Sequence, residues 1–216
     1  MANLSLVKSL SRLQEEQKHS DKILLESAGL AFARGSVTEI FGGASSGKTS
    51  VPLSLLSKLT RDGEICSLVD SGGGFDASTA SLAGVELENL LWIRCGGDLE
   101  KAFMAADYLV QAKGFGAIWL NLNGLPEREL RMVPKTYWYR YRTRIKDTPT
   151  IFLVTAEEHV TGSASRQSIL FSRERVGWSG SGRFKLLREF HLKMYSPKGL
   201  YAPVKTKIEF DYAEVY

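Results

Sequence analysis

Gly42-Gly43-Ala44-Ser45-Ser46-Gly47-Lys48-Thr49 fits the pattern G-x-x-x-x-G-K-[ST] and constrains this chain more than any other stretch. Such a loop works between a buried strand and a helix. Its glycines let successive N–H groups face phosphate oxygens, and the helix adds the positive end of its dipole. Both neighbours are present. Ser36 to Phe41 is a short apolar, β-branched run that ends on the glycine pair. Val51 to Leu59 carries Leu55, Leu56 and Leu59 at helical spacing, with Pro52 in the first turn, where a missing N–H costs little. In this motif Lys48 reaches the β- and γ-phosphates and the Thr49 hydroxyl ligates magnesium. The expected ligand is a nucleotide carrying β- and γ-phosphates, with Mg2+.

Composition narrows the class. The chain has 216 residues, 44% hydrophobic and 24% charged, enough for one globular domain with a substantial core. It contains no run of eighteen apolar residues and no basic-then-apolar start, so a cytoplasmic protein without a membrane helix is expected. Cys66 and Cys95 are too few for a metal or disulfide framework, and Cys66 reads as a small core residue. His19, His159 and His191 have no ligand spacing. The net charge of +4 permits nucleic-acid binding without requiring it.

Along the chain, Leu4 to Gln17 is a candidate amphipathic helix, with Leu6, Leu10 and Leu13 on one stripe. It either packs on its own domain or docks on a neighbouring subunit. Residues 1–28 are read as this helix and a linker, and 29–216 as the core domain. Core strands are expected at 36–41, 64–70, 117–122 and 150–155, with a glycine-rich turn at 71–74 after the second. Asp98 is a helix N-cap, and apolar residues from Leu99 to Val110 keep helical period until Gly114. Strands alternating with helices predict an α/β fold with a mostly parallel sheet flanked by helices. From about Ile169 the pattern changes. Residues 184–194 and 205–212 read as antiparallel strands joined through 196–199.

The stretch Gly35 to Thr49 closely resembles the phosphate loop and preceding strand of the RecA/Rad51 recombinase superfamily. The similarity continues through Leu68 to Asp76 and Leu82 to Leu91, and more faintly to Lys198. The resemblance implies a RecA-like phosphate-loop core. It also makes the departures informative. The family's water-activating Glu, two residues after Asp70, is here Gly72. The Asp that organises the magnesium shell is here Asn121, which can bond a metal-bound water but brings no charge. The γ-phosphate-sensing glutamine is replaced within Ala156-Glu157-Glu158. Asp76 matches the acidic residue near the adenine. The family's DNA-binding loops correspond to Asn123–Arg131 and Glu157–Arg166, both short here.

A short RecA-like chain of this kind resembles recombination or translesion-synthesis accessories, including the ImuA group that acts in the SOS response. The expectation is ATP bound weakly or without hydrolysis, and a RecA-family or DNA polymerase-associated protein as partner. Oligomeric state is left open. Two other readings stand beside it: an active DNA-dependent ATPase using Glu157, Glu158 or Asp70, and a RecA-fold regulator whose loop is a fossil.

Lys135 to Lys146 interleaves aromatics with arginine. As a helix it places Trp138, Tyr141, Arg142 and Ile145 on one face. Core packing with solvated arginines, single-stranded DNA binding and a protein interface all fit this composition. The candidate nucleic-acid residues are Arg140, Arg142, Arg144 and Arg166.

Overall fold

A computed structural model of the chain describes residues 22–179, 186–195 and 204–209. The first elements are β1 (Lys22–Leu25) and β2 (Leu30–Ala33), an antiparallel hairpin around a 3₁₀ turn at Glu26–Ala28. Leu25, Leu30 and Phe32 are buried. The boundary expected at residue 28 falls inside this hairpin, between its 3₁₀ turn and β2. The helix expected at Leu4–Gln17 lies outside the described residues.

The main sheet is built from β3 (Ser36–Phe41), β4 (Cys66–Asp70), β5 (Leu90–Arg94), β6 (Ala117–Asn121), β7 (Ile151–Ala156), β8 (Gln167–Ser179), β9 (Leu186–Tyr195) and β10 (Val204–Glu209). Its order is β10-β9-β8-β3-β7-β6-β4-β5. From β8 to β5 every neighbouring pair is parallel. The last two strands turn antiparallel, β9 on β8 and β10 on β9. The α/β expectation with antiparallel strands at the end is met. The expected 36–41 is met at both ends, and the other strand ends within the described residues differ from expectation by no more than two residues. Residues 210–212 of the last expected strand lie outside the described residues. The turn expected at 196–199 lies outside the described residues.

Helices cover both faces: α1 (Ser50–Arg61), α2 (Ala77–Leu82), α3 (Leu99–Ala112), α4 (Glu127–Met132) and α5 (Lys135–Ile145). Alternate residues of the strands feed two cores. Val37, Ile118, Leu120, Phe152 and Val154 meet α3 and α5 on one face. Ile40, Leu68, Trp119 and Leu153 meet α1 and the hairpin on the other. Burial on both faces explains why β7 reads as a near-continuous apolar run, Ile-Phe-Leu-Val-Thr-Ala, broken only by Thr155.

The aromatic helix α5 is held chiefly by packing. Trp138, Tyr141 and Ile145 are buried, and the Tyr141 hydroxyl donates to the Phe103 carbonyl of α3 at 2.9 Å. Arg140 and Arg144 reach across to Asp107 of α3 at 3.0 and 2.8 Å.

Candidate functional site

The loop 42–49 leaves the carboxyl edge of β3 between β7 and β8, and the Gly42 N–H donates to the Ala156 carbonyl at 3.3 Å. Gly42 lies against β8 so closely that an added Cβ would collide with the Phe171 carbonyl oxygen, so only glycine fits there. The chain then turns through left-handed residues, Ser45 at φ 56° and Gly47 at φ 82°. Gly43, Ala44 and Ser45 form the exposed rim. Lys48 is buried, and its Nζ donates to the Gly42 and Gly43 carbonyls at 2.8 and 3.2 Å. Burial pulls its pKa below that of an ordinary lysine, while the charge of Glu157 pushes the other way.

This donor set suits an anion. The ammonium rests on two carbonyls that an incoming phosphate can replace. The Ser46 hydroxyl is buried with no hydrogen-bond partner among the described residues. Thr49 opens α1 exposed, and its hydroxyl makes no capping bond. Thr49 would supply a metal ligand, and the remainder of a magnesium shell would come from phosphate and water.

At the carboxyl edge of β4, β6 and β7 several polar groups bond one another, while Ser71 Oγ and Asn123 Oδ1 lie buried without a hydrogen-bond partner among the described residues. Asp70 is fully buried, and its carboxylate accepts the N–H groups of Gly73, Gly74 and Phe75, each at 3.2 Å. It also accepts from Asn121 Nδ2 at 3.3 Å. Asn121 is itself buried, its Oδ1 taking Asn123 Nδ2 at 2.8 Å and the Thr155 hydroxyl at 3.0 Å. Trp119 Nε1 in turn donates to Thr155 Oγ1 at 2.9 Å. Gly72 sits beside this network, where a Cβ would lie 2.5 Å from the Asn123 carbonyl oxygen. Asp76 is exposed and caps α2, accepting the Thr79 N–H at 2.9 Å.

A further buried carboxylate, one the sequence alone does not single out, lies within the sheet. Glu39, in the middle of β3, is fully buried. Its carboxylate accepts the N–H groups of Val160 and Thr161 at 2.6 and 3.0 Å. The Thr161 hydroxyl at 2.7 Å, the Ser168 hydroxyl at 3.2 Å and His159 Nδ1 at 2.5 Å complete the set. Burial opposes ionisation, yet the bonds from His159, Val160 and Thr161 outweigh it and hold the Glu39 pKa below the carboxylate range. A charged residue inside a buried strand was the available signal. The loop after β7 is thereby tied to the strand that leads into 42–49.

The four candidate arginines divide. Arg140 and Arg144 are paired with Asp107. Arg142 and Arg166 are exposed, and Arg142 donates to the Ser163 carbonyl at 3.3 Å, which brings it to the loop that carries Arg166. Nearby, Leu125, Leu130 and Val160 floor a groove rimmed by Glu127, Glu157 and Glu158. Arg131 bridges Glu127 and Glu158 across it. The first expected loop is partly helical, since α4 occupies its second half.

The family model for the RecA N-terminal domain matches residues 12–122, just over half of the chain. The chain belongs to the RecA family. Protein RecA of Borrelia hermsii is 34% identical over 105 residues, 48% of this chain and 29% of its own length. Protein RecA of Rubrobacter xylanophilus is 35% identical over 88 residues, 41% of this chain and 25% of its own. The matched stretch thus spans less than a third of these RecA proteins. Among solved structures, the RadB recombinase aligns with a TM-score of 0.60 at 13% identity, covering 85% of this chain and 90% of that one. This likeness shows the shared fold of the RecA superfamily. No helix among the described residues is long and apolar enough to cross a membrane.

Proposed function

We propose that this RecA-family chain is an accessory of DNA repair or recombination that binds nucleotide through Gly42–Thr49 and hydrolyses it slowly or not at all. It acts by docking on a protein partner, of the RecA family or associated with a DNA polymerase. The observation that carries this reading is the edge of β4. Gly72 has no side chain and no room for one, and the Asp70 carboxylate is committed to four N–H donors. Without a general base, hydrolysis loses about 10²–10⁴ in rate. Bound ATP and Mg2+ would supply charge and order to the loop. Lys48 would leave its carbonyls for the phosphates, Thr49 would ligate the metal, and Asn121 would remain a neutral part of the edge.

The test is a titration of the full chain with a fluorescent ATP analogue, with and without magnesium, beside a single-turnover hydrolysis assay. Saturable binding that Lys48→Ala abolishes, with turnover far below that of a RecA protein, is the expected result. Turnover comparable to RecA would overturn the reading. Contact with single-stranded DNA is a second reading, favoured by exposed Arg142 and Arg166 meeting at one loop. It predicts that Arg142→Ala with Arg166→Ala weakens oligonucleotide binding and flattens its salt dependence.

A further inference from the structure

The charge of the candidate nucleotide site is arranged unusually. The β4 and β6 edges contribute no available carboxylate, because Asp70 is enclosed and positions 72 and 121 are glycine and asparagine. The opposite wall does contribute one. Strands β3 and β7 run parallel with Phe41 beside Ala156, and the Gly42 N–H bonds the Ala156 carbonyl. Glu157 is the next residue, so it leaves the sheet at the same edge and level as the start of the phosphate loop. It is exposed, and among the described residues no hydrogen bond or ion pair engages its carboxylate. Glu158 differs, being paired with Arg131 at the groove rim. Lys48, tethered to the Gly42 carbonyl, is the cation that Glu157 influences. In this type of loop the lysine serves the β- and γ-phosphates, so the terminal end of a bound phosphate chain would come to the cation on which the Glu157 charge acts, at the sheet edge where Glu157 emerges.

We propose that Glu157 makes this site discriminate against an unshielded terminal phosphate, so that it prefers a nucleoside diphosphate over the triphosphate unless a divalent cation lies between. The inference rests on the reading of residues 42–49 as a nucleotide site and adds its selectivity. A triphosphate brings more negative charge than a diphosphate, and the extra charge is at the γ position. Like charges a few ångströms apart at the protein surface repel enough to shift affinity by roughly three- to thirty-fold. Magnesium bound at Thr49 and the β- and γ-oxygens would neutralise most of that repulsion. Selectivity between the two nucleotides is therefore a function of magnesium, and Glu157 is the residue that sets it.

The experiment measures the affinities of fluorescent ADP and ATP analogues for the full chain, each with magnesium and with EDTA. It compares the native protein with Glu157→Gln, Glu158→Gln and Lys48→Ala. The expected result is a preference for ADP in EDTA that magnesium narrows. Glu157→Gln should shift the ATP-to-ADP affinity ratio in EDTA about tenfold toward ATP, while Glu158→Gln leaves it in place. Binding that Lys48→Ala abolishes but whose ratio Glu157→Gln does not change would overturn this proposal and leave the nucleotide site standing. Failure of the native chain to bind either analogue at millimolar concentration would overturn both.

Discussion

Adding only a methyl group at Gly72 drives a Cβ to 2.5 Å from the Asn123 carbonyl oxygen, so the backbone of one loop must move. Gly72→Ala should destabilise the protein by about 1–3 kcal/mol in chemical denaturation. Gly72→Glu should not recover hydrolysis, since the side chain cannot be seated without displacing Asn123. Glu39 makes the complementary prediction. Its pKa is lowered from an ordinary 4.5, so the unfolded chain binds the proton more readily than the native one. Its contribution is full above about pH 4.5 and is lost as pH falls through the depressed native value. Glu39→Gln should cost about 2–4 kcal/mol near neutral pH, and the variant should show a shallower loss of stability between pH 5 and pH 3. Urea titrations across that range check both parts. Burial pushes the Cys66 thiol up to about 12, so it should resist thiol reagents until the protein unfolds.

For the elements, α5 shows what composition can and cannot say. Its periodicity places Trp138, Tyr141, Arg142 and Ile145 on a common face; the structure buries Trp138, Tyr141 and Ile145 but leaves Arg142, at the margin of that face, exposed. It could not show that Arg140 and Arg144 end on Asp107, because that partner lies 33 and 37 residues away. Trp138→Ala should cost about 3–5 kcal/mol. Asp107→Asn should cost about 1 kcal/mol or less, because these ion pairs are partly exposed; thermal denaturation of the two variants separates the packing from the charge.

The same limit explains the other omissions. The loop at 42–49 was legible because all of its chemistry is contiguous. Glu39 was not, since its partners stand more than a hundred residues downstream. β5 carries no strand signal of its own, because Leu90-Leu91-Trp92-Ile93 is too short an apolar run to separate strand from helix by period. The hairpin of β1 and β2 was hidden by a short segment with little alternation.

At the scale of the molecule, the parallel sheet collects every part of the candidate site at one edge, where β3, β4, β6 and β7 end together. Nucleotide that binds only the folded form should therefore stabilise the whole domain. At a hundred times its Kd the gain is about 2.7 kcal/mol, or a rise in Tm of roughly 5–10 °C for a domain of this size. Thermal scans at increasing nucleotide should show that rise, and Lys48→Ala should show none.

The tether from Glu39 also has a kinetic meaning. The amide protons of Val160 and Thr161 are given to a carboxylate buried in β3, the strand that leads into residues 42–49. A surface loop ordinarily exchanges its amide hydrogens with solvent through small local openings. These two can be released only when the carboxylate loses its partners inside the sheet. In deuterated buffer, Val160 and Thr161 should retain their protons nearly as long as the core strands, while exposed neighbours such as Glu157 and Glu158 exchange at once.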